Sequence, residues 1–404
     1  MKVAIEVETN SLINSPTSKS ENITNSEINF NPNIETKKER NSSFEILRIL
    51  SMFFIILSHI LFHTKSLPKL KLLNYFTIIN NRYIFMRIIS NFGQLGDIIF
   101  IMISGYFSIK RTTFHYQKFI LLISQIYFYH YLLLYLSFKL IDKYPNIEPL
   151  QQKKGSIFMP LTSFLGHWFA QQYLILLIFM PYINTGLLSL TQQQYKNFVS
   201  LLILCFSIIR PLLNCFEVQT NLFSLVLFMK MCYIYIIGGF LRINDSTNKK
   251  LILIIGIFSF ILIIGLEIIC DNLAIYYREY FWITMQEQIS LSIYSIFGIL
   301  SGIGFIYLVK DFIYFNKVIN FISSSIFGIY LIHANKNIAP FIYNAWFKTS
   351  DYNEEYFFAK YFLKTIIIFL VCLFIDKIRR FTIGIIIDKI LIIGINFFKR
   401  KLKY

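Results

Sequence analysis

Long apolar runs follow one another through this sequence from residue 44 onward. A helix needs about 20 residues to cross the roughly 30 Å of hydrocarbon in a bilayer. Within lipid every backbone polar group must be paired inside the protein, so such runs fold as helices. We therefore predict an all-α, polytopic transmembrane helical bundle with about ten spans, at residues 44–62, 88–107, 119–138, 163–182, 197–213, 222–241, 251–269, 289–309, 321–340 and 357–376.

The composition excludes other classes of protein. Hydrophobic residues make up 55% of the 404 residues, whereas charged residues make up only 15%. A soluble domain carries roughly 25% charged residues, and a disordered chain has low hydrophobicity. Five cysteines are too few for a disulfide scaffold of this length. A membrane protein is the class that remains.

The sequence divides into three parts. Residues 1–40 are rich in Ser, Asn, Thr, Glu and Lys and hold no long apolar run, which predicts a disordered polar tail. Residues 41–380 contain the apolar runs and form the predicted transmembrane domain. Residues 381–404 mix cations with apolar residues, as in a basic amphipathic segment on a membrane surface.

Loop charges predict the orientation of the bundle. The net charge is +17, and most of the cations between spans fall on one side if the N-terminus lies inside the cell. That distribution agrees with the positive-inside rule and predicts an N-in/C-in topology. Two longer outer loops, at about 63–87 and 139–162, carry cations against the rule. We expect the lipid bilayer of the plasma membrane, and no nucleic acid, as the partner of this positive charge.

The first predicted span holds the most informative polar residues. Arg48 and His59 are eleven residues apart, which places them on one helix face about 16 Å apart along the axis. Glu45 can pair with Arg48 one turn away, and His63 shares the side of His59. The face suits a long anionic ligand, with a guanidinium at one end and a proton-transferring imidazole at the other. A snorkelling arginine and a histidine bonded within the bundle would give the same spacing.

Two further histidines fall at similar depth. His167 opens the fourth predicted span, and His333 lies in the outer half of the ninth. Ionisable groups inside spans are costly and are therefore candidates for function. Together with His59 they are expected to line a cavity, although His167 beside Trp168 also fits an interfacial anchor.

Five sequence stretches resemble the acyltransferase-3 family of integral membrane O-acyltransferases, most closely its polysaccharide-modifying branch. Arg48 and His59 match the family's Arg-x10-His signature, and the resemblance extends over residues 41–380. The other matching stretches are Gly93–Tyr106, His167-Trp168-Phe169, Gly238–Arg242 and Ser325–His333.

The resemblance implies acyl transfer from acetyl-CoA, or another acyl-CoA, to a carbohydrate hydroxyl. By this resemblance His59 is the catalytic acid/base and Arg48 helps to hold the donor. The family's paired-arginine motif is not intact here in the inner loop that follows the second predicted span. In that loop, Lys110, Arg111 and Lys118 are expected to meet the CoA phosphates. Glu45, His63, His167 and His333 are expected to contact the substrate or to support the site, and no metal is expected.

An exporter or flippase of polysaccharide or lipid-linked glycan is the alternative, because it would also be a basic polytopic protein with buried charges. The Arg48/His59 face favours the enzyme. So does the lack of internal repeats, which many transporters have.

Overall fold

The computed structural model of the protein describes most of the apolar region. The described residues are 40–64, 81–144, 167–215, 227–244, 248–279, 281, 282, 285, 295–346, 356–386, 389, 390, 393 and 394. All of them belong to one compact unit, Arg40–Tyr404. The predicted disordered tail, apart from Arg40, lies outside the described residues.

Helices account for the regular structure of this unit, and the described ranges contain no β-strand. α5 (Gln192–Ile203) passes through a π-helical turn, Leu204–Ile209, into α6 (Arg210–Cys215). α12 (Phe357–Arg379) continues through another one, Arg380–Gly384. The helices are α1 Ser42–Thr64, α2 Asn81–Ser108, α3 Tyr116–Lys143, α4 Trp168–Leu188, α5 Gln192–Ile203, α6 Arg210–Cys215, α7 Leu227–Ile243, α8 Lys249–Tyr277, α9 Ile296–Val309, α10 Lys317–Ser323, α11 Ile326–His333 and α12 Phe357–Arg379.

Each of the ten predicted spans overlaps a described helix. Six stretches of the described chain are long and apolar enough to cross a membrane: Ser42–Leu61, Ile88–Ser108, Tyr116–Lys143, Gln192–Leu213, Lys249–Tyr277 and Phe357–Gly384. α9 and the α10–α11 stretch are apolar but shorter. The prediction of an all-helical membrane bundle is thus confirmed, whereas the number of ten spans stays a prediction.

Glycines let α2 pack closely between α1 and α7. A Cβ atom on Gly105 would lie 2.1 Å from the carbonyl oxygen of Tyr235, and one on Gly238 would lie 2.2 Å from that of Met102. On the other side of α2, a Cβ on Gly96 would lie 2.6 Å from the carbonyl oxygen of Ser51. Lipid tails are as apolar as the helices, so helix association in a membrane depends on close van der Waals packing. Small residues at the interface allow this close approach.

The start of α1 and the end of α12 both contact the α10 region. The hydroxyl of Ser42 donates to Asn320 Oδ1 over 2.9 Å, and Lys377 Nζ donates to Ser324 Oγ over 2.9 Å. The start of α1 and the end of α12 therefore lie at one face of the bundle. Whether that face is cytoplasmic, as N-in/C-in topology requires, stays a prediction.

A buried carboxylate anchors α12 to its neighbours. Asp376 is 0% exposed and accepts hydrogen bonds from Tyr129 over 2.7 Å, from Arg380 over 2.7 Å and from Arg379 over 3.1 Å. Gly328 on α11 leaves room for it, since a Cβ there would lie 2.1 Å from Asp376 Oδ1. The two arginines at this end of α12 are thus committed to an internal ion pair. The amphipathic role predicted for residues 381–404 stays untested, because most of that segment lies outside the described residues.

Replacing Gly238 by Ala tests the close approach of α2 and α7. The added methyl group would force the two helices apart, so we expect a loss of about 1–3 kcal/mol in stability. Gly265→Ala is the control, because no atom lies within 4 Å of the new methyl group in this structure. Thermal unfolding in detergent should show a lower Tm for Gly238→Ala and no loss for Gly265→Ala. Equal Tm values for the two variants would contradict the packing.

Candidate active site

One end of α1 carries a buried ion pair. Arg48 Nη1 donates to Glu45 Oε1, and the second carboxylate oxygen of Glu45 accepts from the hydroxyl of Ser323. The side chain of Glu45 is only 4% exposed, whereas that of Arg48 is 25% exposed. The predicted pairing of Glu45 with Arg48 is therefore present. The guanidinium retains access to the surface at this face of the bundle.

Two imidazoles meet at the other end of α1. The ring centres of His59 and His333 are 5.2 Å apart. His333 is 0% exposed, and His59 is half-buried. The two rings are close enough for a charge on one imidazole to be felt by the other. A pair of this kind is suited to accepting and returning a proton.

Backbone contacts orient His333. Its Nδ1 lies 2.7 Å from the carbonyl oxygen of Ile329, which can only accept a hydrogen bond. Nδ1 therefore carries a proton, and in the neutral ring Nε2 is the basic nitrogen. This fixes which atom of His333 is able to take up a proton.

His167 joins the same cluster through Tyr330. The ring centre of Tyr330 lies 5.8 Å from that of His167 and 6.1 Å from that of His333. His167 is 2% exposed, whereas its neighbour Trp168 is 37% exposed. The residue of this pair that reaches the surface is thus the tryptophan, and His167 lies inside the bundle.

Asn335 sets the protonation of His167. Asn335 Oδ1 accepts from the backbone N–H of Asn337 over 2.9 Å, which leaves Nδ2 as the donor to His167 Nε2 over 3.2 Å. In the neutral ring of His167 the proton must then sit on Nδ1. No partner for this Nδ1 is present among the described residues. A buried donor without a partner is costly and is characteristic of a site that meets a ligand.

A small cavity lies beside α1, between Arg48 and His59. Arg48, Met52, Ile55 and His59 follow one another at spacings of four, three and four residues, so they form one stripe along the helix. Met52 and Ile55 line a cavity of about 10 Å³, which is the space of about one water molecule. Its other walls are formed by aromatic side chains, Tyr330 among them, and by Asp97.

Several exposed cations lie at the same end of α2 as Arg48. We call Arg48, Lys110, Arg111, Lys118 and Arg242 the basic face. The guanidinium of Arg48 lies 5.6 Å from the ring centre of Phe107, and α2 ends one residue later. Lys110 and Arg111 follow directly and are exposed, as is Lys118. Burial and the positive charges of Lys118 and Arg111 lower the pKa of His115 in this loop, as expected if the cations lie close together.

The sequence did not point to Arg242 as a member of this face. Its Nη1 donates to the hydroxyl of Tyr106 over 3.1 Å, and its guanidinium lies 5.0 Å from the centre of that ring. The matching stretch Gly238–Arg242 was the available signal. Its role could not be read from the sequence, because nothing in a linear pattern shows that α7 packs on α2.

Asn184 holds the loop that carries the cations. Its Nδ2 donates to the carbonyl oxygens of Ser108 and Arg111, over 2.7 Å each, and its Oδ1 accepts from Tyr235 over 2.9 Å. Asn184 is 0% exposed, so all these bonds are inside the protein. α4 and α7 thereby fix the position of Lys110 and Arg111 relative to α2.

The structure brings together most of the predicted site residues, in two groups. Glu45 and the cations lie at the basic face, and His59, His167 and His333 lie in the histidine cluster. His63 is in the last turn of α1, and its side chain lies outside the described residues. Among the described residues, no group of three or more His, Cys, Asp or Glu side chains is placed to hold a metal ion. The arrangement combines a positively charged surface with two neighbouring imidazoles.

Comparison with known proteins supports the resemblance seen in the sequence. The family model described as an acyltransferase domain of the acyltransferase-3 type matches residues 41–377. The comparisons with curated proteins and with solved structures find no match.

Replacing Asn184 by Leu tests the loop clamp. Two carbonyl oxygens and the hydroxyl of Tyr235 would lose their partner, at a cost of about 1–3 kcal/mol each where they stay buried. Hydrogen–deuterium exchange should become faster in residues 109–115. Asn272→Leu is the control, because Asn272 is exposed and bonds only within its own helix. Unchanged exchange in residues 109–115 of Asn184→Leu would contradict the clamp.

Proposed function

Because the chain belongs to the acyltransferase-3 family, we propose that it moves an acetyl or related acyl group from acyl-CoA to a carbohydrate hydroxyl. The acceptor is a surface polysaccharide or a lipid-linked sugar at the plasma membrane. The protein is a membrane acyltransferase with several apolar helices. The acyl donor, the acceptor and the kind of membrane are our proposals. The observation that carries the proposal is the single stripe of α1 that joins the basic face to the His59/His333 pair.

The histidine pair supplies the base. His59 takes the proton of the acceptor hydroxyl while that oxygen attacks the thioester carbonyl carbon. The new C–O bond forms, the C–S bond breaks, and the imidazolium returns its proton to the departing CoA sulfur. His333, whose ring centre lies 5.2 Å from that of His59 and whose basic nitrogen is Nε2, is a second base close to the reaction. The charge that develops on the carbonyl oxygen needs a donor, and the Nδ1–H of His167 is the candidate in the cluster.

The basic face supplies the donor site. The nucleotide part of CoA carries several phosphate charges, which guanidinium groups bind in bidentate geometry and ammonium groups bind as point charges. Arg48 is the member of that face that stands on the stripe leading to His59. The pantetheine arm would follow Met52 and Ile55, where Asp97 can accept a hydrogen bond from an amide N–H of the arm. The cavity there is about 10 Å³ and must widen for the arm to pass.

Replacing His59 by Ala tests the role of the base. Loss of general-base catalysis should lower acetyl transfer by about 10²–10⁴-fold. Alkali-labile acetyl groups on surface glycan, measured by mass spectrometry in a host without the activity, give the readout. Equal acetylation by wild type and His59→Ala would reject the role. Glycan export that does not depend on acetyl-CoA would favour the exporter instead.

Replacing Arg48 by Lys tests the donor site without leaving Glu45 unpaired. Arg48→Ala would strand a buried carboxylate and cost about 3–5 kcal/mol, which would obscure the result. The lysine retains the charge but loses the fork, so we expect KM for acetyl-CoA to rise about tenfold with kcat little changed. Arg278→Lys, at an exposed position after α8, is the control. An unchanged KM in Arg48→Lys would reject the donor site.

A further inference from the structure

A large cleft opens between α5, α7, α8 and α9, away from the histidine cluster. The lateral cleft, as we call it, is lined by Lys196, Ile237, Leu241, Ile255, Ile303 and Tyr307 among others, and has a volume of about 820 Å³. Sites for small molecules range over roughly 300–1,000 Å³. None of the residues proposed for the acyl transfer lines this cleft. The face of α7 that lines it also differs from the face of α7 that packs on α2.

The mouth of the lateral cleft is polar and positively charged. Thr191, Gln192 and Gln193 at the start of α5 line it, followed one turn later by Lys196. The helix dipole makes the start of α5 attractive to anions. A capping box of Thr191 and Gln194 already uses the N–H groups of these two residues, so the dipole and Lys196 supply the attraction here. Lys196 forms no ion pair with any described residue. The ammonium group of Lys196 is therefore available to an anion.

A second lysine stands beside the same mouth. Lys310 Nζ lies 3.8 Å from the ring centre of Tyr307, which lines the cleft. Lys249, nearby at the start of α8, is already paired with Asp311 over 3.1 Å. Since the charge of Lys249 is balanced by Asp311, Lys196 and Lys310 leave the region of the mouth positively charged, which complements an anionic ligand.

The interior of the lateral cleft is apolar. Away from the mouth its walls are side chains such as Ile203, Ile237 and Ile303. The adjacent surface of α8 is also apolar, with Ile254 61% exposed and Phe258 58% exposed, which is typical of a lipid-facing side. The cleft therefore opens where hydrocarbon chains run beside the protein.

We propose that the lateral cleft binds an anionic phospholipid, with one acyl chain in the apolar interior and the phosphate at Lys196 and the first turn of α5. A zwitterionic phospholipid fits the interior equally well but gains less at the mouth, because its own cation competes with Lys196. The lipid would contact all four helices that line the cleft. This site is independent of the proposed acyl transfer.

Lipid retention tests the proposal directly. The full-length protein is delipidated in detergent and mixed with equal amounts of dioleoyl phosphatidylglycerol and dioleoyl phosphatidylcholine. Native mass spectrometry then counts the bound lipids. Wild type should retain phosphatidylglycerol at least fivefold over phosphatidylcholine, since one lysine near a lipid phosphate is worth about that factor. No preference in wild type would overturn the proposal.

Two pairs of variants separate the charge from the cavity. Lys196→Glu should abolish the preference for phosphatidylglycerol, and Ile303→Trp, which fills the interior, should lower retention of both lipids. Lys317→Glu and Ile254→Trp are the matched controls, because both residues are exposed and neither lines the cleft. If Lys196→Glu and Lys317→Glu reduce retention equally, the lipid responds to surface charge in general and the site is rejected. Retention in Ile303→Trp equal to that in Ile254→Trp also rejects it.

Discussion

The ion pair between the buried carboxylate of Glu45 and Arg48 is the interaction on which the arrangement of the site depends. In a membrane an ionised carboxylate without partners is costly, so Arg48 and Ser323 must stay beside it. That requirement fixes the start of α1 against α10. The same two chain segments meet again at the other end, where His59 lies beside His333. α1 and the α10–α11 stretch therefore run side by side, and the ion pair at one end sets the register of the imidazoles at the other.

The second buried carboxylate shows which cations remain for a ligand. Asp376 engages Arg379 and Arg380, so these two arginines serve the fold of α12. The cations of the α2–α3 loop are exposed, and Asn184 bonds that loop through its backbone carbonyl groups. Their side chains are left to meet anions. Arg48 and the cations of the α2–α3 loop are therefore the positive charges that we propose for a phosphate-bearing donor.

The sequence predicted what depends on a single helix. The face shared by Arg48 and His59 and the pairing of Arg48 with Glu45 follow from helix geometry, and the family follows from short motifs in order. It also expected His59, His167 and His333 to come together from their similar depth, and their rings lie in one cluster. Other contacts between distant helices were missed, because Asn184, Arg242 and Asn335 each bond to groups in other elements. The number of spans stays a prediction for a related reason: α11 is buried except at Phe327. A helix enclosed by protein needs no long lipid-facing run, so apolar length alone does not define it as a span.

An experimental structure with CoA bound tests the account most directly. We predict that the phosphates lie on the basic face with Arg48, and that the thiol reaches the His59/His333 pair along Met52 and Ile55. The aromatic walls of the small cavity would then have moved apart. CoA bound elsewhere on the protein, with the thiol remote from His59, would contradict the proposed reaction.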